Sequence, residues 1–200
     1  PNMDGHKRMA EVIARAIGGR SIDLSDVPPP EPWLPRTMDR AAHGQPIRIL
    51  AMSPFDEWIG SAIEQAAPGV RVEVTRWPTA GKTLKALEQN AKERARPMAP
   101  DLVILAVPRV ASSETFESFV HDYAWIMNNS LNFGSGGWDC VVVHPSVISP
   151  DPDPASGRDA LIRSLVKAQD LPLIDRSRGE MHSATDLLNG WVRRQPWPRK

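Results

Sequence analysis

From Pro46 onward the apolar positions of this chain alternate between two rhythms. PIRILAM (46–52) is a short apolar run led by β-favouring residues, and DEWIGSAIEQAA (56–67) follows with Trp58, Ile59, Ala62, Ile63 and Ala66 on one helical side. VRVEVTRW (70–77) alternates as a strand, and LKALEQNAKERA (84–95) reads as an amphipathic helix ended by Pro97 and Pro100. DLVILAV (101–107) is apolar almost throughout, which suits a central parallel strand buried on both faces. Residues 114–131 place Phe116, Phe119, Val120, Tyr123, Ile126 and Met127 on one broad face before GSGG interrupts the pattern. WDCVVVHPSVI, GRDALIRSLVKAQD, LPLIDR and SATDLLNGWVRR then complete the series as strand, helix, strand, helix. The alternation predicts a three-layer α/β/α fold around a five-stranded parallel sheet, with strands near 47–52, 70–76, 101–107, 139–144 and 172–175.

The first 45 residues follow another pattern. Met9, Val12, Ile13, Ala16 and Ile17 form one stripe at helical spacing, and Gly18-Gly19 stop it. A helix that starts at the first residue has its N-terminal anchor upstream, so residues 1–19 read as the end of something else. Residues 20–45, rich in Pro and charge, read as an extended, semi-rigid linker to a domain at 46–192, with 193–200 as a tail.

Composition narrows the chemistry. Lys plus Arg and Asp plus Glu both number 24, so no charge excess points to nucleic acid or a membrane surface. The single cysteine, Cys140, excludes an intrachain disulfide. No CxxC, HExxH or spaced His/Cys cluster suggests a metal, no cofactor is implied, and no apolar run approaches the roughly 18 residues of a membrane span.

In parallel α/β sheets, reactive groups collect at the carboxyl ends of the strands. Those ends carry Ser53, the stretch Thr79-Ala80-Gly81-Lys82-Thr83, Pro108-Arg109, His144-Pro145-Ser146, and residues 176–182 ending in His182. Ser53 and His182 are a candidate nucleophile and base, because a serine hydroxyl needs an imidazole to take its proton and a third group to set the tautomer. Ser53 is equally a loop or helix-capping residue, and His182 a solvated one. Gly81 is a tight turn or a backbone donor. The TAGKT stretch lacks the first Gly of a phosphate-binding loop, with Arg76 at that position. Arg109 would bind an anionic substrate or pair with a carboxylate, and His144 lines a substrate rim or does no more than follow a strand. Trp58, Trp77 and Trp138 lie near loops where a ring could stack on a sugar.

With Ser53 after the first strand, a Gly after the second, PDLVILAV as the third and a His near the end, residues 46–192 resemble the SGNH or GDSL-type hydrolases. That resemblance implies a flavodoxin-like strand order, ester hydrolysis, Ser53 as nucleophile, His182 as base and Gly81 as an oxyanion donor. The motifs have diverged. Ala51-Met52-Ser53 stands where the family has Gly-Asp-Ser, Pro108-Arg109-Val110-Ala111 where it has Gly-x-Asn-Asp, and Gly179-Glu180-Met181-His182 where it has Asp-x-x-His. In the family the lost Asn, the Gly and the nucleophile's own N–H hold the oxyanion, each donor worth roughly 3 kcal/mol. Glu180 is the available replacement for the missing Asp.

The opening residues, PNMDGHKRMAEVI, resemble the segment that follows the catalytic His in such hydrolases. The expectation is an upstream hydrolase domain ending at residue 19 and a diverged second copy at 46–192, packed with that domain or with a companion fragment; the alternative is one rearranged domain, with the opening helix packed on the sheet of 46–192. Two functions stand side by side: a serine esterase acting on acyl or acetyl esters of carbohydrate or lipid, and an inactive binding or interaction module of the same fold.

Overall fold

The computed structural model describes residues 3–27, 33–131, 137–150, 157–177 and 179–198. Its centre is a parallel sheet of β1 (Ile47–Met52), β2 (Val72–Trp77), β3 (Leu102–Leu105), β4 (Asp139–Val143) and β5 (Leu173–Ile174), in the order β2-β1-β3-β4-β5. Every residue of β3 and β4 is buried, as their continuous apolar runs predicted, whereas edge strand β2 alternates between half-buried and exposed positions until Trp77. The register pairs Ile47 with Val72 and Met52 with Trp77, and Ile49 with Leu102 on the other side of β1. The five expected strands are all present, with ends shifted by at most two residues.

The helices are α1 (Met3–Gly18), α2 (Pro35–Ala42), α3 (Ile59–Ala66), α4 (Leu84–Met98), α5 (Phe116–Ser130), α6 (Arg158–Ala168) and α7 (Ala184–Arg193). Right-handed crossovers put α4, α5 and α6 on one face, where Leu84, Phe119, Tyr123 and Ile162 converge, while α3 packs against α7 on the other. Side-chain caps start α4, α5 and α7: Thr83 Oγ1 accepts from Ala86 N, Thr115 Oγ1 from Ser118 N, and Ser183 forms a capping box with Asp186. Pro97 does not end α4, which runs on to Met98; in the last turn the ring costs less than it would mid-helix.

Two features of the first 45 residues differ from a plain helix and linker. The stripe on α1 exists but is not covered: Met9, Val12, Ile13 and Ile17 are 55%, 68%, 52% and 84% exposed. Within the expected linker, residues 35–42 are helical rather than extended, with Leu34, Met38 and Ala41 buried in the core; residues 28–32 lie outside the described set. Pro35 serves as a first-turn proline, whose missing N–H and fixed φ suit the start of a helix.

The strand starts hold α2 in place. Asp139 at the head of β4 accepts from Thr37 N (2.7 Å), Thr37 Oγ1 (2.6 Å) and Arg36 N (3.2 Å), so a carboxylate on the sheet caps a helix remote in sequence. Burial raises the Asp139 pKa against those hydrogen bonds. Asp101, with no exposed side-chain surface, gathers Arg36 (3.1 Å), Arg40 (3.4 Å) and Arg48 (3.6 Å) at the head of β3. The amino edge is thereby closed, leaving the carboxyl edge for chemistry.

Candidate active site

At the carboxyl edge, Ser53 follows β1 directly and is half-buried. Its backbone N–H donates to Trp77 O at 3.2 Å, extending the β1–β2 ladder by one step. Its hydroxyl accepts from Arg76 Nε at 3.0 Å, and the same Nε lies 3.3 Å from Asp56 Oδ2. Register explains the meeting: Arg76 pairs with Ala51, two residues before Ser53. Residues 55–57 form a single 3-10 turn that carries Asp56 back beneath the guanidinium.

Gly81 sits in a turn closed by Lys82 N to Thr79 O (3.2 Å), with φ of 70°. That conformation is open to glycine at no steric cost. Among the described residues its N–H has no protein acceptor.

His182 lies on the loop between β5 and α7, largely exposed. Its Nδ1 is 3.1 Å from Glu180 Oε1, and Glu180 Oε2 accepts from Ser177 N at 2.9 Å. The Ser177 hydrogen bond, with His182 behind it, lowers the Glu180 pKa below the usual carboxylate value. Arg176 fixes the loop through four carbonyl oxygens: Ser146 O (2.7 Å), Val147 O (2.7 Å), Glu180 O (2.9 Å) and His182 O (2.6 Å). Ser53 and His182 are not hydrogen-bonded to one another; each hydroxyl or ring contact is with the partner just named.

His144 and Arg109, expected at a substrate rim, have inward partners. The His144 ring is fully buried, with Nδ1 accepting from Ser146 N (3.1 Å) and Nε2 against Asp159 O (3.1 Å). Nδ1 is also 2.7 Å from Ser146 Oγ and 3.2 Å from Asp175 Oδ1. With Nδ1 an acceptor, the ring is neutral and Nε2 carries the proton. Burial lowers the His144 pKa, outweighing the attraction of Asp175. Arg163 grips Asp175 at 2.6 and 3.0 Å; burial would raise the Asp175 pKa, but those bonds, with the Arg176 N–H behind them, bring it down. Arg109 donates to both Asp159 oxygens (3.1 and 2.9 Å) and to Ser149 O (3.1 Å). These residues tie the loops after β3, β4 and β5 together. His144 presents no surface to a substrate in this geometry, because its side chain is fully buried. Trp77 is equally buried, so it does not stack on a sugar from here.

A cavity of about 630 Å³ opens between the start of α4 and the β3–α5 loop, lined by Thr83, Lys85, Ser112, Glu114, His121 and Asp122. Neither Ser53 nor His182 lines it. Among the described residues no cluster of His, Cys, Asp and Glu could hold a metal ion, and no helix is long and apolar enough to cross a membrane.

Sequence reasoning missed Arg76, Asp56 and Arg176. Arg76 and Ser53 are brought together by strand register, which no local pattern reveals; Arg176 works through backbone carbonyls, which carry no sequence signal at all.

No family model matches this chain, and no curated protein matches it in sequence. Its backbone is similar to solved structures. A two-domain esterase active on acetylated mannans, crystallised with mannopentaose, matches with a TM-score of 0.54 at 13% identity over 84% of this chain and 55% of that one. The chain thus spans about half the length of that esterase. A lipase/acylhydrolase from Enterococcus faecalis matches with 0.52 at 14% identity, over 77% of this chain and 100% of the other. An acetyl xylan esterase from Geobacillus stearothermophilus matches with 0.55 at 8% identity, over 77% and 97%. The fold is SGNH hydrolase-like, in the flavodoxin-like strand order expected from the resemblance.

Proposed function

We propose that this chain is a serine ester hydrolase acting on acyl or acetyl esters of a carbohydrate or lipid, with Ser53 as nucleophile, His182 as general base and Gly81 as an oxyanion donor. The observation that carries the reading is the 3.1 Å contact between His182 Nδ1 and Glu180. A carboxylate on Nδ1 keeps the proton there and leaves the Nε2 lone pair to accept one from a hydroxyl. Glu180 supplies this although the family's Asp position is Gly179. Glu180 is ionised at neutral pH, as an orienting group must be, and its hydrogen bond from Ser177 N favours that form further. The ester class is supported by neighbours of like fold, one of which is active on acetylated mannans and another of which is an acetyl xylan esterase.

The test is turnover of a small aryl acetate. Wild-type protein is expected to hydrolyse it slowly, Ser53→Ala to be inactive and His182→Ala to lose most of the rate. Unchanged turnover in Ser53→Ala would remove that residue from the reaction.

A second reading, a non-catalytic glycan-binding module, draws on a different observation. Both the N–H and the hydroxyl of Ser53 already have protein partners, neither of them His182. Calorimetric binding of an acetylated oligosaccharide without release of acetate would support it.

A further inference from the structure

We infer that Arg76 is the group that stabilises negative charge at this site: its guanidinium meets the oxyanion formed when Ser53 attacks an ester carbonyl. The inference rests on the assignment of Ser53 as nucleophile. It begins with what the carboxyl edge lacks. A tetrahedral intermediate needs N–H donors aimed at its oxygen, and such donors give the largest single contribution in many acyl transfers. Val110 stands where the family has its Asn and offers no side-chain donor, while the neighbouring Arg109 guanidinium is held by Asp159 and Ser149 O. The Ser53 N–H is spent on Trp77 O at 3.2 Å. Of the three donors implied by the resemblance, Gly81 N–H remains.

Arg76 is built to fill that gap. Its Nε lies 3.0 Å from Ser53 Oγ, the atom that would form the new bond. Asp56, 3.3 Å from the same Nε, is the anchor: its side chain is 7% exposed, against 62% for Arg76. The other carboxylate oxygen, Asp56 Oδ1, is buried with no partner among the described residues, so this acid is held in the site without any other bond to explain it. The terminal amino groups of Arg76 have no protein acceptor among the described residues. A guanidinium bonded to the nucleophile's own oxygen addresses the reacting centre rather than a remote acidic group of a substrate. Charge-assisted hydrogen bonds are about twice as strong as neutral ones, so one Arg offsets more than one lost amide.

The step balances without a co-reactant. Ser53 Oγ bonds to the carbonyl carbon, its proton passes to His182 Nε2, and the carbonyl π electrons move to oxygen, where Arg76 and Gly81 donate. Collapse of the intermediate breaks the bond to the alcohol, which leaves with the proton from His182. Water then repeats the sequence on the acyl-serine and releases the acid.

The experiment compares wild type, Ser53→Ala, Arg76→Ala and Arg76→Gln in hydrolysis of a neutral aryl acetate and in labelling by a neutral fluorophosphonate, with thermal melts as a check on folding. Expected is a fall in kcat of roughly 100-fold in Arg76→Ala at little-changed KM. A parallel fall in the labelling rate and partial recovery with added methylguanidinium should accompany it. Arg76→Gln decides if the alanine variant does not fold. Wild-type rates in the Arg76 variants, with Ser53→Ala inactive, would overturn the inference and leave the nucleophile in place. A rise in KM at constant kcat, or a loss confined to an anionic ester, would also overturn it by making Arg76 a substrate-binding residue. A wild-type protein inert to both reagents would overturn the nucleophile assignment and the inference together.

Discussion

Two histidines in this chain have opposite environments, and each sets a prediction. His182 is exposed and has one carboxylate on Nδ1; if that contact orients a base, Glu180→Gln removes the charge while keeping the shape. The expected result is a fall in kcat by about 10²- to 10⁴-fold with KM nearly unchanged, read from aryl acetate kinetics. His144 is buried and neutral, with its pKa lowered below the usual 6.5 by burial. An unfolded chain therefore binds a proton at a higher pH than the folded one. Its contribution to stability is complete above about pH 6.5 and is lost as pH falls through that value toward the folded pKa. Thermal melts from about pH 7.5 down to about pH 5 should show wild type losing more stability than His144→Gln; equal slopes would refute this. Arg163, Asp175 and Asp159 surround the ring, so the comparison between the two proteins, not the wild-type curve alone, is the measurement.

Among the elements, helices α1 and α2 invert what their sequences suggest. The longer and more regular α1 has no buried residue, whereas α2, short and led by proline, sits in the core. Leu34→Ala should cost about 2–5 kcal/mol in urea denaturation, while Ile17→Glu should stay within about 0.5 kcal/mol. Thr37→Val, which takes the 2.6 Å hydroxyl donor from buried Asp139, should cost about 1–3 kcal/mol. Strands were legible because burial on both faces demands an unbroken apolar run, as in Val103, Ile104 and Leu105. The α2 helix was not, because its stability comes from Asp139 and Asp101, about 100 and 60 residues away in the chain. The same reason hid half of the candidate site. Ser53, Gly81 and His182 stand at strand ends and could be picked by position, whereas Arg76 and Asp56 acquire meaning once β1 and β2 are in register.

For the molecule as a whole, the amino edge of the sheet is locked by buried carboxylates and the carboxyl edge by arginines on exposed loops. One of those arginines constrains how such a protein could be altered. Because Arg176 joins Ser146 and Val147 to Glu180 and His182, the two loops are one replaceable part rather than two. A combinatorial library that varies 177–182 alone would draw mostly on variants whose backbone no longer meets the clamp, and would read as poorly evolvable. Transplanting 144–147 and 175–182 together from a relative of like fold would keep the four acceptors in step, so the natural unit of recombination here is spatial and spans two crossovers.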